Sequence, residues 1–450
     1  MAAVLWDVQE EHLGEAEFTF EVWENSLDAA MYTLGEVATG PEERLRAHVH
    51  GLIAGGEPVL ERLLLPALTQ PRSDRFRTAA ATLAVLIGPR EQAREAALAA
   101  IEQADDDGRW GLVRAFEIAN RKGVGRMLAR DLGEVGGPAL AARLQALAPR
   151  RYDGKRKLAD WLGDGDPAVL RAAATLARHS SASSGLRALL PLMKHEDPQL
   201  RHAAIESALI RGLPGSWQIA CALALAEPPD PADERPALTW VAIQGDATVH
   251  GQILASLRRD PSANRLWAAG LTGRLEAVDL ACELLDHPQL ARLAGEVVAT
   301  ITGLALPGSG DRRCWLDDGA KGLFGTDADE ALPTLSKDDL DADLIPKDEL
   351  ALPLPDAAAV RRWWAERRGS LTPQLRHLAG EPLDGQRLVW GLRHLPTRRR
   401  RVLALELAMR SAGAHVLDTR SSARSQLTAL AELEAADLDN IDCQRGLPRL

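Results

Sequence analysis

The chain has little of what most specialised protein classes require. Aromatic residues make up 4% of its 450 positions, with only 2 Tyr and 5 Phe, although 11 are Trp. β-Branched residues are sparse, and Ala and Leu dominate an apolar fraction of 46%, so strand-built folds are disfavoured and helices favoured. That apolar fraction also excludes wholesale disorder. The four cysteines, Cys221, Cys282, Cys314 and Cys443, lie far apart with no C-x-x-C pair. This argues against a disulfide scaffold or a zinc ribbon and fits structural thiols in a reducing compartment.

Other absences narrow the field further. The N-terminal "MAAVLWDVQEEHLGEAEF" has neither a basic n-region nor an apolar h-region, so it does not read as a signal peptide. No run of about 18 uncharged apolar residues offers a membrane span. The expected location is therefore cytoplasmic, with no membrane partner. There is no G-x-S-x-G, no G-x-x-x-x-G-K-[ST] and no H-E-x-x-H. His48 and His50 of "HVHG" diverge if they lie on a helix, as i and i+2 must. The expectation is a non-catalytic chain with no catalytic, cofactor-binding or metal-binding residues. A net charge of −11 argues against a general nucleic-acid binder.

What is present is helical periodicity. In residues 4–25, Leu5, Val8, His12, Ala16, Phe20 and Trp23 step by three or four, which predicts an amphipathic helix. "GPEERLRAHVHGLIAGG" and "EPVLERLLLPAL" predict two more. From about residue 71, short Ala/Leu segments alternate with tight turns, and one turn signal recurs: Asp166-Pro167, Asp197-Pro198, Asp230-Pro231, Asp260-Pro261 and His287-Pro288. An arginine follows each, at 171, 201, 235, 265 and 292. Asp caps a helix N-terminus and Pro suits its first turn. A period near 30 with two helices per unit predicts an α-solenoid of HEAT-like hairpins. "SDRFRTAAATLAVLIG" and "GGPALAARLQALAP" read as divergent earlier members.

The expected organisation is an N-terminal helical cap at 1–70, a HEAT-like solenoid at 71–305, an acidic Pro-rich connector at 306–356 and an Arg-rich helical module at 357–450. The connector carries 13 acidic and 5 basic residues. The C-terminal module carries 16 arginines, no lysine and 10 acidic residues. In the connector, Asp339, Asp341 and Asp343 match the first offsets of a calcium loop, but Leu344 and Leu350 stand where Gly and Glu are needed. Those acids alternate with Leu340, Ala342 and Leu344, the period of an extended strand. The segment is either a solvated linker or an ordered strap laid on the helices by its leucine side.

Two further features are interface candidates. Trp363 and Trp364 sit about 100° apart on a helix, so they cannot share one core stripe. One packs inward and the other lies at a boundary, both structural or one serving an interface. Arg398, Arg399, Arg400 and Arg401 open a helix, the unfavourable end of its dipole, and so call for acidic partners or phosphates.

The opening "QEEHLGEAEFTFEVW…ERLRAHVHGLIAGGEPVLERLL" and the tail "DDLDADLIPKDELALPLPDAAAVRRWWAERRG…RHLAGEPLDGQRLVWGLR…RRRRVLALELAM" resemble a bacterial family of HEAT-like repeat proteins. Its members are often encoded near type VI secretion genes. The resemblance implies a cytoplasmic protein–protein adaptor, scaffold or effector-loading factor of that system. It supplies no catalytic residues. The rival expectation is a HEAT-like nucleic-acid-binding protein or DNA glycosylase, which needs a basic concave groove with Trp, Arg and a catalytic Asp.

Overall fold

The computed structural model describes residues 4–69, 74–154, 157–180, 183–307, 312–316 and 347–446. The protein is an all-α helical repeat, and among the described residues the one sheet is a two-stranded hairpin. The chain forms two compact units. The first comprises Met1–Ile219, Leu392–Ala436 and Leu450, and the second Ala220–Gly391 and Asp437–Arg449. The division at Ile219 falls inside the stretch expected as one array. The Arg-rich module is shared between the units, residues 392–436 belonging to the first.

In the first unit, helices Arg75–Ile87, Asp106–Ile118, Gly137–Leu147, Pro167–Leu176 and Pro198–Ile210 each pack on the next, and Trp6–Ser26 packs on the first of them. Four of these five begin with an aspartate cap. Asp74 accepts from Phe76 N at 2.7 Å, Asp105 from Gly108 N at 2.9 Å, Asp166 from Ala168 N at 2.8 Å and Asp197 from Gln199 N at 2.8 Å. Each satisfies an N–H with no intrahelical partner. Small residues let the helices approach: a Cβ at Gly111 would lie 2.4 Å from the Arg75 carbonyl oxygen. Ser207 Oγ donates to the Ala174 carbonyl at 2.6 Å, tying one repeat to the next.

In the second unit, Glu234–Gln244, Ala263–Thr272 and Ala291–Thr302 form the corresponding row. Here the Asp-Pro expectation shifts. Asp230 accepts from Ala232 N at 2.9 Å, closing a turn, and the helix starts at Glu234. Asp260 ends the helix Ala247–Arg259, and Ser262 caps Ala263–Thr272 by accepting from Arg265 N at 3.3 Å. The cap nearer the helical run takes the role. His287-Pro288 likewise precedes a helix that begins at Ala291. Trp267 Nε1 donates to Thr239 Oγ1 at 3.1 Å, so this Trp joins two repeats.

The ends of the connector meet within this unit: Leu316 N donates to the Leu354 carbonyl and Asp356 N to the Cys314 carbonyl, both at 2.9 Å. The strap candidates Asp339, Leu340, Asp341, Asp343 and Leu344 lie outside the described residues.

Residues 357–450 were expected to be a helical module, and between two of its helices the chain forms a short hairpin. His377–Leu378 pairs antiparallel with Glu381–Pro382. The turn between them places Ala379 at φ 49° and Gly380 at φ 84°. Its backbone adds to the glycine C-cap of Ala291–Thr302, where left-handed Gly303 bonds the Ala299 carbonyl: Ala379 N donates to the Thr300 carbonyl at 2.6 Å and Gly380 N to that of Ile301 at 2.9 Å.

Candidate functional site

The two groups of predicted interface residues belong to different units. Trp363 and Trp364 lie on helix Ala357–Arg367 of the second unit, which Asp356 caps through Ala359 N at 2.9 Å. Trp364 is buried. Its Nε1 donates to Asp279 Oδ1 at 2.9 Å, and Arg368 grips the same carboxylate with Nε at 3.0 Å and Nη2 at 2.8 Å. Burial pushes the Asp279 carboxyl up, but these bonds outweigh it and hold the group below the usual range. Trp363 is half-buried and its ring face carries the Arg367 guanidinium at 5.1 Å.

Arg398 to Arg401 open helix Thr397–Arg410 of the first unit. The orphan N–H groups at this helix start are met by a turn carrying carbonyls: Thr397 N donates to the Tyr32 oxygen at 2.7 Å and Arg398 N to the Ala29 oxygen at 3.1 Å. The Thr397 hydroxyl donates to the Ser26 carbonyl at 2.7 Å. The positive end of one helix thus abuts the negative end of Trp6–Ser26. The acid that Arg401 meets is Glu206 of a repeat helix, at 3.0 Å, and Arg178 approaches the other oxygen at 3.6 Å. Arg398, Arg399 and Arg400 are buried. Arg400 Nε donates to the Leu392 carbonyl at 2.7 Å, and burial draws its pKa down to about 10, with Asp418 opposing.

Sequence reasoning missed a second feature of this unit. The non-helical residues 411–422 run along the C-terminal ends of the repeat helices. Arg211 Nη1 donates to the Ala412 carbonyl at 3.1 Å, Arg151 Nη2 to that of Val416 at 2.8 Å, and Arg114 Nη2 to that of Arg420. These arginines come in reverse chain order from the repeats of Pro198–Ile210, Gly137–Leu147 and Asp106–Ile118, so the segment is tied down along the row at three of its repeats. The available signal was Gly413, which sits at φ 84°, and arginine near the C-terminal part of these repeats: Arg114 in the second half of its helix, Arg151 four residues past Leu147 and Arg211 directly after Ile210.

Within this segment Asp418 feels the charges of Arg114, Arg150, Arg178 and Arg400. The donors of Arg114 and Arg150 are largely committed inside the protein, whereas both Nη atoms of the buried Arg400 make no hydrogen bond among the described residues. Arg114 bonds Glu24 at 2.8 Å and Glu117 at 2.9 Å, and Arg150 bonds the Ala146 carbonyl at 2.7 Å and that of Ala119 at 3.0 Å. Burial raises the Glu117 carboxyl, with Arg114 opposing.

A third feature is apolar. Among the described residues, large hydrophobic side chains stand exposed at Leu5, Phe18, Met31, Tyr32, Leu190, Leu225, Leu316 and Leu350. Half of them fall in the first 32 residues. Phe18 is 61% exposed because it lies off the stripe formed by Ala16, Phe20 and Trp23, which are buried. Leu5, counted in that stripe from the sequence, is 66% exposed and lies just before the helix begins at Trp6.

Among the described residues no group of three or more His, Cys, Asp or Glu is placed to hold a metal ion, and no helix is long and apolar enough to cross a membrane. No family model matches the chain, and no curated protein matches it. A crystal structure of an engineered protein from the Northeast Structural Genomics Consortium is similar over 65% of this chain and 88% of its own, at 16% identity and a TM-score of 0.32. A likeness at that level carries no weight for fold or function.

Proposed function

We propose that the protein is a non-catalytic protein–protein adaptor of the cytoplasm, an accessory or effector-loading factor of type VI secretion. The observation that carries the adaptor reading is the concentration of exposed large apolar side chains at Leu5, Phe18, Met31 and Tyr32. An aromatic side chain held out by a packed helix is the kind of anchor that interfaces use. Burying it against a partner is worth about 2 kcal/mol. The type VI assignment rests on the resemblance of the chain's two ends to that family.

The rival nucleic-acid reading would draw on Asp418 and its arginines. The internal bonds of Arg114 and Arg150 leave little for a phosphate backbone, which favours the adaptor. The test is affinity purification of the tagged full-length protein from its native host under secretion-inducing conditions. Recovery of a secretion component, lost on Phe18→Ala, is expected. Failure to recover any such component from cells expressing the machine overturns the reading.

A further inference from the structure

The helix that follows Gly55 is not regular. Gly56–Val59 and Leu65–Thr69 are α-helical, but Leu60–Leu64 between them is a π-turn. Pro66 gives the reason. In a regular α-helix its ring would collide with the Arg62 carbonyl four residues back. Widening the turn instead lets Leu65 N bond the Leu60 carbonyl, five residues back. A π-turn adds a residue to the circumference and pushes side chains apart, and such turns recur at functional sites.

Beside this turn lies a cavity of about 170 Å³. Leu60 and Leu64, the first and last residues of the π-turn, form one wall, and Leu52, Ala84, Val85 and Ala93 form others. Among the described residues the polar side chains lining it are Glu57 and Arg90, which form an ion pair at 2.8 Å. Both are more than half exposed, so they sit at the mouth, and the pair contributes little to stability. It is cheap to open. The pocket is open at this mouth and its interior is mostly apolar, so it offers water few partners. An apolar cavity of about 150 Å³ stays dry and takes up benzene or xenon.

We propose that this cavity is a binding site for a small neutral apolar ligand, a single aromatic ring or a branched alkane of about six carbons. Its size suits one ring better than a fused or extended molecule, its mostly apolar interior disfavours a charged one, and the Glu57–Arg90 pair stands at the mouth. The site is independent of the adaptor reading.

The probe is benzene, with indole as the oversized control, added to the full-length protein. Thermal unfolding and ligand-observed NMR are the readouts. Benzene is expected to bind saturably and raise the midpoint by several degrees, and indole to leave it unmoved. Ala93→Phe fills the cavity and is expected to abolish benzene binding while the far-UV helical signal is retained. Should that variant fail to fold, Leu60→Ala decides instead: it enlarges the cavity and is expected to admit indole. A folded wild-type protein that shows no benzene binding overturns the proposal. So does benzene binding that neither variant alters.

Discussion

The carboxylate of Glu42 accepts the backbone N–H of Arg424 at 3.1 Å, across 382 positions of sequence. The same buried group accepts Ala423 N and, at 3.2 Å, Trp23 Nε1. It therefore supplies from a distance a negative charge at the N-terminus of helix Ala423–Glu434, alongside the local cap from Ser422. Glu42→Ala removes this charge and leaves an indole N–H buried without its partner. The expected loss is about 2–4 kcal/mol in urea unfolding. Glu42→Gln keeps one acceptor oxygen and loses less. Equal stability of the alanine variant and wild type would show that Glu42 is not a cap.

Arg376 plays the corresponding part in the second unit. It is 1% exposed, and its guanidinium donates to the carbonyls of Thr272 at 3.0 Å, Leu271 at 3.1 Å and Cys443 at 2.9 Å. Two of these are the orphan carbonyls at a repeat-helix C-terminus. Arg376→Met leaves them unmet in the interior, at a cost of about 3–5 kcal/mol. Arg376→Lys does not rescue, because a point-like ammonium cannot span the fork. Rapid proteolysis within the repeat helices Glu234–Gln244, Ala263–Thr272 and Ala291–Thr302 in both variants, with the wild type resistant there, is the expected readout.

The parts of the fold that sequence reasoning reached are the local ones. Asp166 and Asp197 cap helices through atoms two residues away, and that chemistry is written in the residues themselves. Asp74 and Asp105 also cap helices, two and three residues away, without a following proline, so the turn signal used did not include them. Arg376, Glu42 and the laced segment 411–422 are bonds between distant positions, and no local pattern announces them. The four arginines of the RRRR run were expected to seek acids or phosphates. Arg401 does, but Arg400 spends its Nε on a carbonyl, a partner with no sequence signature. Phe18 was legible in principle: it stands two residues from Phe20, nearly on the opposite side of the helix.

Phe18 should separate binding from folding. Its side chain is 61% exposed, so Phe18→Ala removes little buried area. Its unfolding midpoint is expected within about 0.5 kcal/mol of wild type. Partner capture is expected to weaken by about tenfold or more, the loss of one aromatic anchor. A variant that binds as well as wild type removes Phe18 from the interface. In parallel, the wild-type protein is expected to show no salt-sensitive retention on immobilised duplex DNA, and strong retention that falls steeply with salt would restore the nucleic-acid reading.

His179 makes stability depend on pH in a stated direction. Burial, with Arg178, Arg151 and Arg211 nearby, pushes its pKa down to about 4 from an ordinary 6.5. Above the ordinary value both folded and unfolded chains carry neutral imidazole and nothing is lost. As pH falls below it the unfolded chain takes up a proton that the folded chain refuses until near 4. Stability therefore declines through this window, by about 2 kcal/mol at pH 5 relative to pH 7.5. Carboxylates titrate in the same range, so the measurement is the difference between wild type and His179→Gln in urea unfolding at pH 7.5, 6 and 5. The glutamine variant is expected to lose less stability on acidification by about that amount. Parallel pH profiles would mean that the imidazole is solvated and that the three arginines do not reach it.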